Sequence, residues 1–347
     1  MKVLVTGGCG FLGSHVCEYY VRKGAEVVSY DNMTKHELNR TGYKTEAART
    51  YNWNLLKRAG VALLKKDVRN YGQLEKAARG CDFIVHTAAQ PAMTISWEDP
   101  ELDFTTNCWG TFNVLEVARR FRIPVVCCAT IHVYGNRINA ELTESDTRYL
   151  RSPESIDETY PVLQGDLTPL HASKGAVDLY VKTYIDTYGL EAASFRLTGL
   201  YGTRQFGGED HGWVANFSVR AVTDQPVSIF GSGKQVRDIL YATDVCEAFD
   251  AFYTQRKAGI YNIGGGPKTA LSLLECIRII DRITGKKVLV EHRQDRKGDL
   301  RYFVCDILKA RQQLGWSPKI MPEQGIQLLI EWIQKNPGLF FAGKGPR

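Results

Sequence analysis

The chain has 347 residues, 44% of them hydrophobic and 24% charged, with a formal net charge of +6. That length allows two domains, or one doubly wound domain with a large appendage. A mild basic balance without long runs of like charge argues against nucleic-acid binding. No apolar run approaches the roughly 20 residues of a spanning helix, so no membrane partner is expected. The first strand starts at Lys2, which leaves no room for a signal peptide. Nine cysteines, without CxxC zinc spacing, read as reduced core thiols and point to a cytoplasmic protein without a metal site.

The first elements carry the most information. Lys2-Val3-Leu4-Val5-Thr6 is a short apolar run that breaks into Gly7-Gly8-Cys9-Gly10-Phe11-Leu12-Gly13 and continues as a helix from Ser14. A buried strand turning through glycines into a helix N-terminus is a pyrophosphate cradle. Gly7 permits the tight turn, Gly10 lets the backbone approach the phosphates, and Gly13 lets helix and strand pack closely, with Phe11 and Leu12 on the cradle itself. The next strand, Glu26–Tyr30, runs into Asp31, 24 positions after Gly7. That spacing suits a carboxylate that binds the adenosine ribose diol and repels a 2′-phosphate, so NAD is the expected cofactor.

Further strands are expected at Ala62–Lys66, Phe83–Thr87, Pro124–Ala129 and Glu191–Leu197. Helices are expected near Leu12–Lys23, Thr45–Arg58, Tyr71–Ala78, Glu101–Phe121 and Pro169–Tyr188, the last with Thr168 as N-cap. The alternation defines an α/β fold with a doubly wound parallel (Rossmann) sheet. After Tyr201, Gly-rich loops interrupt shorter elements. Residues 1–200 are therefore assigned to the dinucleotide domain, with about 235–265 returning to it, and 201–347 mainly to a smaller α/β substrate domain. Lys35 to Tyr51 and Leu142 to Leu167 read as polar loop insertions.

Several segments in order along the chain resemble the extended short-chain dehydrogenase/reductase family of nucleotide-sugar enzymes. They are Thr6–Gly13, Asp67-Val68, His86-Thr87-Ala88-Ala89, Asn107 with Gly110-Thr111, Thr130 with Val133-Tyr134-Gly135, Lys174, Arg237-Asp238 and Asn262-Ile263-Gly264-Gly265. Within the family, Ala92-Met93-Thr94, Arg204-Gln205-Phe206, His211-Gly212-Trp213-Val214 and Gly233–Asp238 are most similar to the branch that epimerises C2 of a CDP-linked hexose. The resemblance implies transient oxidation of a sugar carbinol by a tightly held NAD, and a homodimer built on the helices near 101–121 and 170–188. A UDP-sugar 4-epimerase and a non-catalytic dinucleotide-binding protein are the rival readings. Ile131-His132 stands where sugar dehydratases carry Asp-Glu, so water elimination is not expected.

The resemblance also implies roles. Thr130 supplies the hydroxyl at the end of the fifth strand, and Lys174 the lysine of a Tyr-x-x-x-Lys pair. The tyrosine is missing: Leu170 stands four residues before Lys174. His171 is the provisional replacement base, because a helix first turn favours neutral imidazole. His132 is the second choice, and an altered site the third reading. On the cofactor side, Asp67 and Val68 are expected at the adenine, and Ala88, Ala89 and Asn107 along the nicotinamide half. Asn32 and Gln90 complete that set, and Lys174 also faces the cofactor. The nucleotide-sugar is assigned to Met93, Thr130, Thr198, Gln205, His211, Asn216, Gln235, Arg237 and Arg296. The two guanidinium groups suit a diphosphate.

Overall fold

The computed structural model describes residues 1–41, 43, 45–296 and 298–340. Strand β1 (Lys2–Thr6) opens the chain, β2 (Glu26–Asp31) is buried after Glu26, and the edge strand β3 (Ala62–Lys65) is partly exposed, while β4 (Phe83–His86) and β5 (Val125–Thr130) are, like β1, nearly continuous apolar runs, as strands covered on both faces must be. Helices α1 (Phe11–Arg22), α2 (Thr45–Arg58) and α3 (Tyr71–Ala78) cross between them. Two short helices, α4 (Met93–Glu98) and α5 (Pro100–Asp103), precede α6 (Gly110–Phe121). A small hairpin of β6 (Thr143–Glu144) and β7 (Tyr149–Leu150) follows, then α7 (Pro169–Tyr188) and β8 (Ala192–Leu197).

Among the described residues the main sheet has seven strands, all parallel, including a later strand β12 (Gly259–Ile263). Its order, β12-β8-β5-β4-β1-β2-β3, reverses direction of growth between β1 and β4. The crevice at that switch point, beyond the carboxyl ends of the strands, is where such sheets bind ligands.

The second half begins with β9 (Gly199–Tyr201), α8 (Trp213–Val222), β10 (Val227–Phe230) and β11 (Val236–Tyr241). Helix α9 (Ala242–Gln255) precedes β12; then come β13 (Ala270–Ser272), α10 (Leu273–Thr284), β14 (Val290–Arg293) and β15 (Tyr302–Phe303). The last helices are α11 (Leu308–Leu314) and α12 (Pro322–Lys335). Strand β11 pairs with β9, β13 and β15 in a separate sheet. What rejoins the first sheet is therefore α9 and β12, a later start than residue 235. Phe249 and Phe252 of α9 and Leu314 after it belong to the same buried core as Val3, Val16 and Phe195.

Two segments depart from the sequence expectation. The helix expected over 101–121 is interrupted by a π-helical stretch, Phe104–Trp109. Its wider turn accompanies the inward placement of Asn107, which bonds Gln90, Asp103 and Ser173. The insertion at 35–51 is not a plain loop. A 3-10 turn spans His36–Arg40 and α2 starts at Thr45. Leu38, Tyr43 and Ala48 are buried in the second core beside Phe206, Phe217 and Phe340.

Candidate active site

The cofactor end is built by the β1–α1 turn. Gly7 adopts φ +69°, and a Cβ there would lie 2.6 Å from the Ala88 amide; a Cβ at Gly13 would land on the Gly7 carbonyl. Helix α1 has Gly10 at its N-cap, so it has no side-chain cap, and no acidic residue lies in its first turn. Its N-terminal amides are thus open to an anion, which is the observation that a dinucleotide diphosphate fits. Asp31 accepts the Cys9 amide at 2.9 Å and the Met33 amide at 2.7 Å, holding the carboxylate beside the turn. Asn32 donates to Asp67 at 3.0 Å, and Val68 packs beneath Gly110.

Gln90 and Asn107 differ from the expectation of ligand contact. Gln90 donates to Asp103 and accepts the Ala92 amide, while Asn107 receives the Gln90 amide and donates to Asp103 and Ser173. Both side chains spend their polar groups within the protein and brace the floor rather than line it.

One cleft of about 520 Å³ runs from Gly10, Phe11 and Leu12 past Ala89, Thr130, His132, Leu170 and Lys174 to Arg237 and Arg296. Every residue assigned to the nucleotide-sugar lines it: Met93, Thr130, Thr198, Gln205, His211, Asn216, Gln235, Arg237 and Arg296. Thr130, at the end of β5, accepts the His132 amide at 3.3 Å. Lys174 is 7% exposed, and its Nζ donates to the Cys128 carbonyl at 3.1 Å. Burial is the main cause that lowers its pKa.

His171 departs from the role expected of it. It is fully buried and absent from the cleft wall. Its Nδ1 accepts the Thr168 backbone N–H at 3.0 Å and meets the Thr168 hydroxyl at 2.8 Å, which closes a capping box at the start of α7. That lone pair serves the helix, so it cannot also serve a substrate. His132 does line the cleft. Burial first, then Arg237 and His171, lower its pKa to about 3.

At the far end, Arg237 lies 3.8 Å from Asp299, and burial lowers its pKa. Arg296 lies over the Phe230 ring at 3.7 Å and donates to the Glu209 carbonyl at 3.0 Å. Sequence reasoning passed over Arg204, which lies within one of the matching stretches. Arg204 holds φ +66° and is 7% exposed, with one amino group on Glu18 at 2.9 Å. Its Nε and Nη2, like Gln205 Oε1, Gln235 Oε1 and His132 Nδ1, are buried without a partner among the described residues.

A doubly wound sheet with a glycine-turn diphosphate cradle and a donor-rich cleft at its switch point defines a dinucleotide-dependent enzyme of the extended short-chain dehydrogenase/reductase class. Residues 3–264 match the NAD dependent epimerase/dehydratase family. The chain belongs to that family: it is an NAD-dependent enzyme of the nucleotide-sugar epimerase/dehydratase group. It is 33% identical to the CDP-paratose 2-epimerase of Salmonella typhi, covering 96% of this chain and 99% of that one. It is 30% identical to a putative UDP-glucose 4-epimerase of Methanocaldococcus jannaschii, over 96% and 99%. Among solved structures, the Thermus thermophilus UDP-glucose 4-epimerase complex with NAD superposes with a TM-score of 0.79 at 32% identity, covering 97% of this chain and 100% of that one. No helix among the described residues is long and apolar enough to cross a membrane.

Proposed function

We propose that this enzyme inverts C2 of a CDP-linked hexose by transient oxidation. The observation that carries the reading is the single cleft in which the glycine turn, Thr130 with Lys174, and Arg237 with Arg296 all open on one space. The likeness to a CDP-paratose 2-epimerase over nearly the whole chain supports the choice of carbon and nucleotide.

The α1 amides and Asp31 hold NAD, which when bound supplies a hydride acceptor and donor. Arg237 and Arg296 clamp the sugar diphosphate, where guanidinium forks match phosphate oxygens. Thr130 orients the hydroxyl at the reacting carbon. Gln205, Gln235 and Asn216 supply polar contacts to sugar or nucleotide, and Met93 and Trp213 wall the pocket. Leu170 presents an apolar surface where the family carries a phenol. A homodimer fits the exposed apolar side chains Trp109, Leu179 and Tyr180 on neighbouring helical surfaces.

The test is incubation with CDP-, UDP- and GDP-hexoses, followed by proton NMR of the ring couplings. Inversion at C2 of a CDP-sugar is the expected result. Inversion at C4 of a UDP-sugar would replace this reading with the 4-epimerase one, and no inversion of any sugar would end it.

A further inference from the structure

With Leu170 in the place of a phenol, the hydroxyl proton needs another acceptor. The turn after Thr130 and the first turns of α7 carry three side chains with a titratable nitrogen: His132, His171 and Lys174. His171 has no lone pair to offer. Its Nδ1 accepts the Thr168 N–H, so the neutral ring keeps its proton on Nε2. That Nε2 is buried without a partner, and so is Nδ1 of His132. The two rings stand perpendicular, with centroids 5.8 Å apart. His132 lines the cleft, but burial, Arg237 and His171 hold its pKa down to about 3, which makes it a poor acceptor for a carbinol proton.

We propose that Lys174, acting as a neutral amine, takes up the substrate hydroxyl proton and returns it, in place of the missing tyrosine. The proposal rests on the epimerase reading above. Lys174 lines the cleft between Cys128 and Leu170. Its Nζ hydrogen bond goes to an uncharged carbonyl, and no carboxylate forms an ion pair with it among the described residues. The groups facing it come from four elements. Asp103 of α5 is bonded to Gln90 and Asn107 instead. Cys108 of the π-helical turn and Cys127 and Cys128 of β5 are thiols that burial keeps protonated, Cys108 at about 11 and Cys128 at about 12. His86 of β4 bridges Thr6 and Thr111 through both ring nitrogens and is held neutral by burial. Desolvation outweighs the raising effects of Cys128, Asp103, Cys127 and Cys108, so burial disfavours the ammonium.

The step balances without a further reagent. The proton leaves the carbinol oxygen for the Nζ lone pair, and Nζ becomes an ammonium. The O–H electron pair becomes the second carbon–oxygen bond as the carbon loses its hydride to the resident dinucleotide. On the return, the ammonium gives the proton back to the oxygen.

Lys174→Arg puts a permanent cation there that cannot accept a proton, so single-turnover oxidation should fall by about 100-fold or more, with the NAD content of the purified protein measured alongside. His132→Gln keeps a polar side chain in the cleft wall and should lose no more than about tenfold. Independently of any variant's activity, the wild-type holoprotein carrying ε-carbon-labelled lysine is titrated by NMR, with the Lys174 resonance assigned by its loss in the arginine variant. Its midpoint should fall below the ordinary lysine value of about 10.4. A midpoint at or above that value overturns the proposal, as does an arginine variant that keeps the wild-type rate. A wild-type enzyme that inverts no nucleotide-sugar would instead sink the epimerase reading itself.

Discussion

The two ends of the cleft are finished to different degrees. At the cofactor end, Asp31, Asn32, Gln90 and Asn107 find partners inside the protein, and Asn52 donates to the Cys9 and Gly10 carbonyls of the turn while its Oδ1 stays buried without a partner among the described residues. Toward the sugar, Gln205, Gln235 and His132 keep buried polar atoms with none among the described residues, and Arg204, bonded to Glu18 of α1, keeps two such atoms as well. The difference is one of degree: most of these polar groups at the cofactor end are tied to the protein, and more of those toward the sugar are left for a ligand or water.

The largest expected break in that contrast is Gly13→Val. Its side chain would collide with the Gly7 carbonyl, so the protein should lose about 3 kcal/mol or more, and purify without dinucleotide. Thermal melting and the absorbance of extracted nucleotide check this. Arg237→Met acts at the other end. Nucleotide-sugar affinity should drop about 100-fold in calorimetry, while bound NAD stays constant. If NAD content falls as well, the two ends are not independent.

Acid provides a third probe. His15 and His86 are buried neutral, with pKa values lowered to about 3. The unfolded value is about 6.5, so the stability gained by keeping them neutral is complete above that pH and drains as pH falls toward 3. Each contributes a slope of up to about 1.4 kcal/mol per pH unit. His86→Gln should flatten the acid limb of a melting-temperature profile by one such increment. The smallest effect belongs to Lys23→Ala. It removes an exposed ion pair with Asp250 at 2.7 Å and should change stability by less than about 0.5 kcal/mol without touching either end.

What could be read from the residues was local. The strand, the glycine turn and Asp31 lie within one crossover, and their pattern carries the chemistry directly. Six of the nine substrate assignments that reached one cleft, Met93, Thr130, Gln205, His211, Gln235 and Arg237, sat in a short stretch with its own likeness. His171 misled because the N3 position of a capping box ordinarily holds Glu or Gln. An imidazole that does the same work looks like a free base until its Nδ1 is seen against the Thr168 amide. The π-helical turn was hidden because Glu101–Phe121 reads as one unbroken helix. The burial of Leu38 and Tyr43 was hidden because their partners, Phe206 and Phe340, lie more than a hundred residues away in the chain.

That packing of Leu38 and Tyr43, together with the return of β12 to the edge of the main sheet, means the enzyme cannot be divided near residue 200. A fragment ending there would present β8 as a bare edge and leave Phe195 without the stacked Phe249 ring. The chain is sewn through itself, so gene fusion or exchange could pass this catalyst on whole, but not as two reusable pieces.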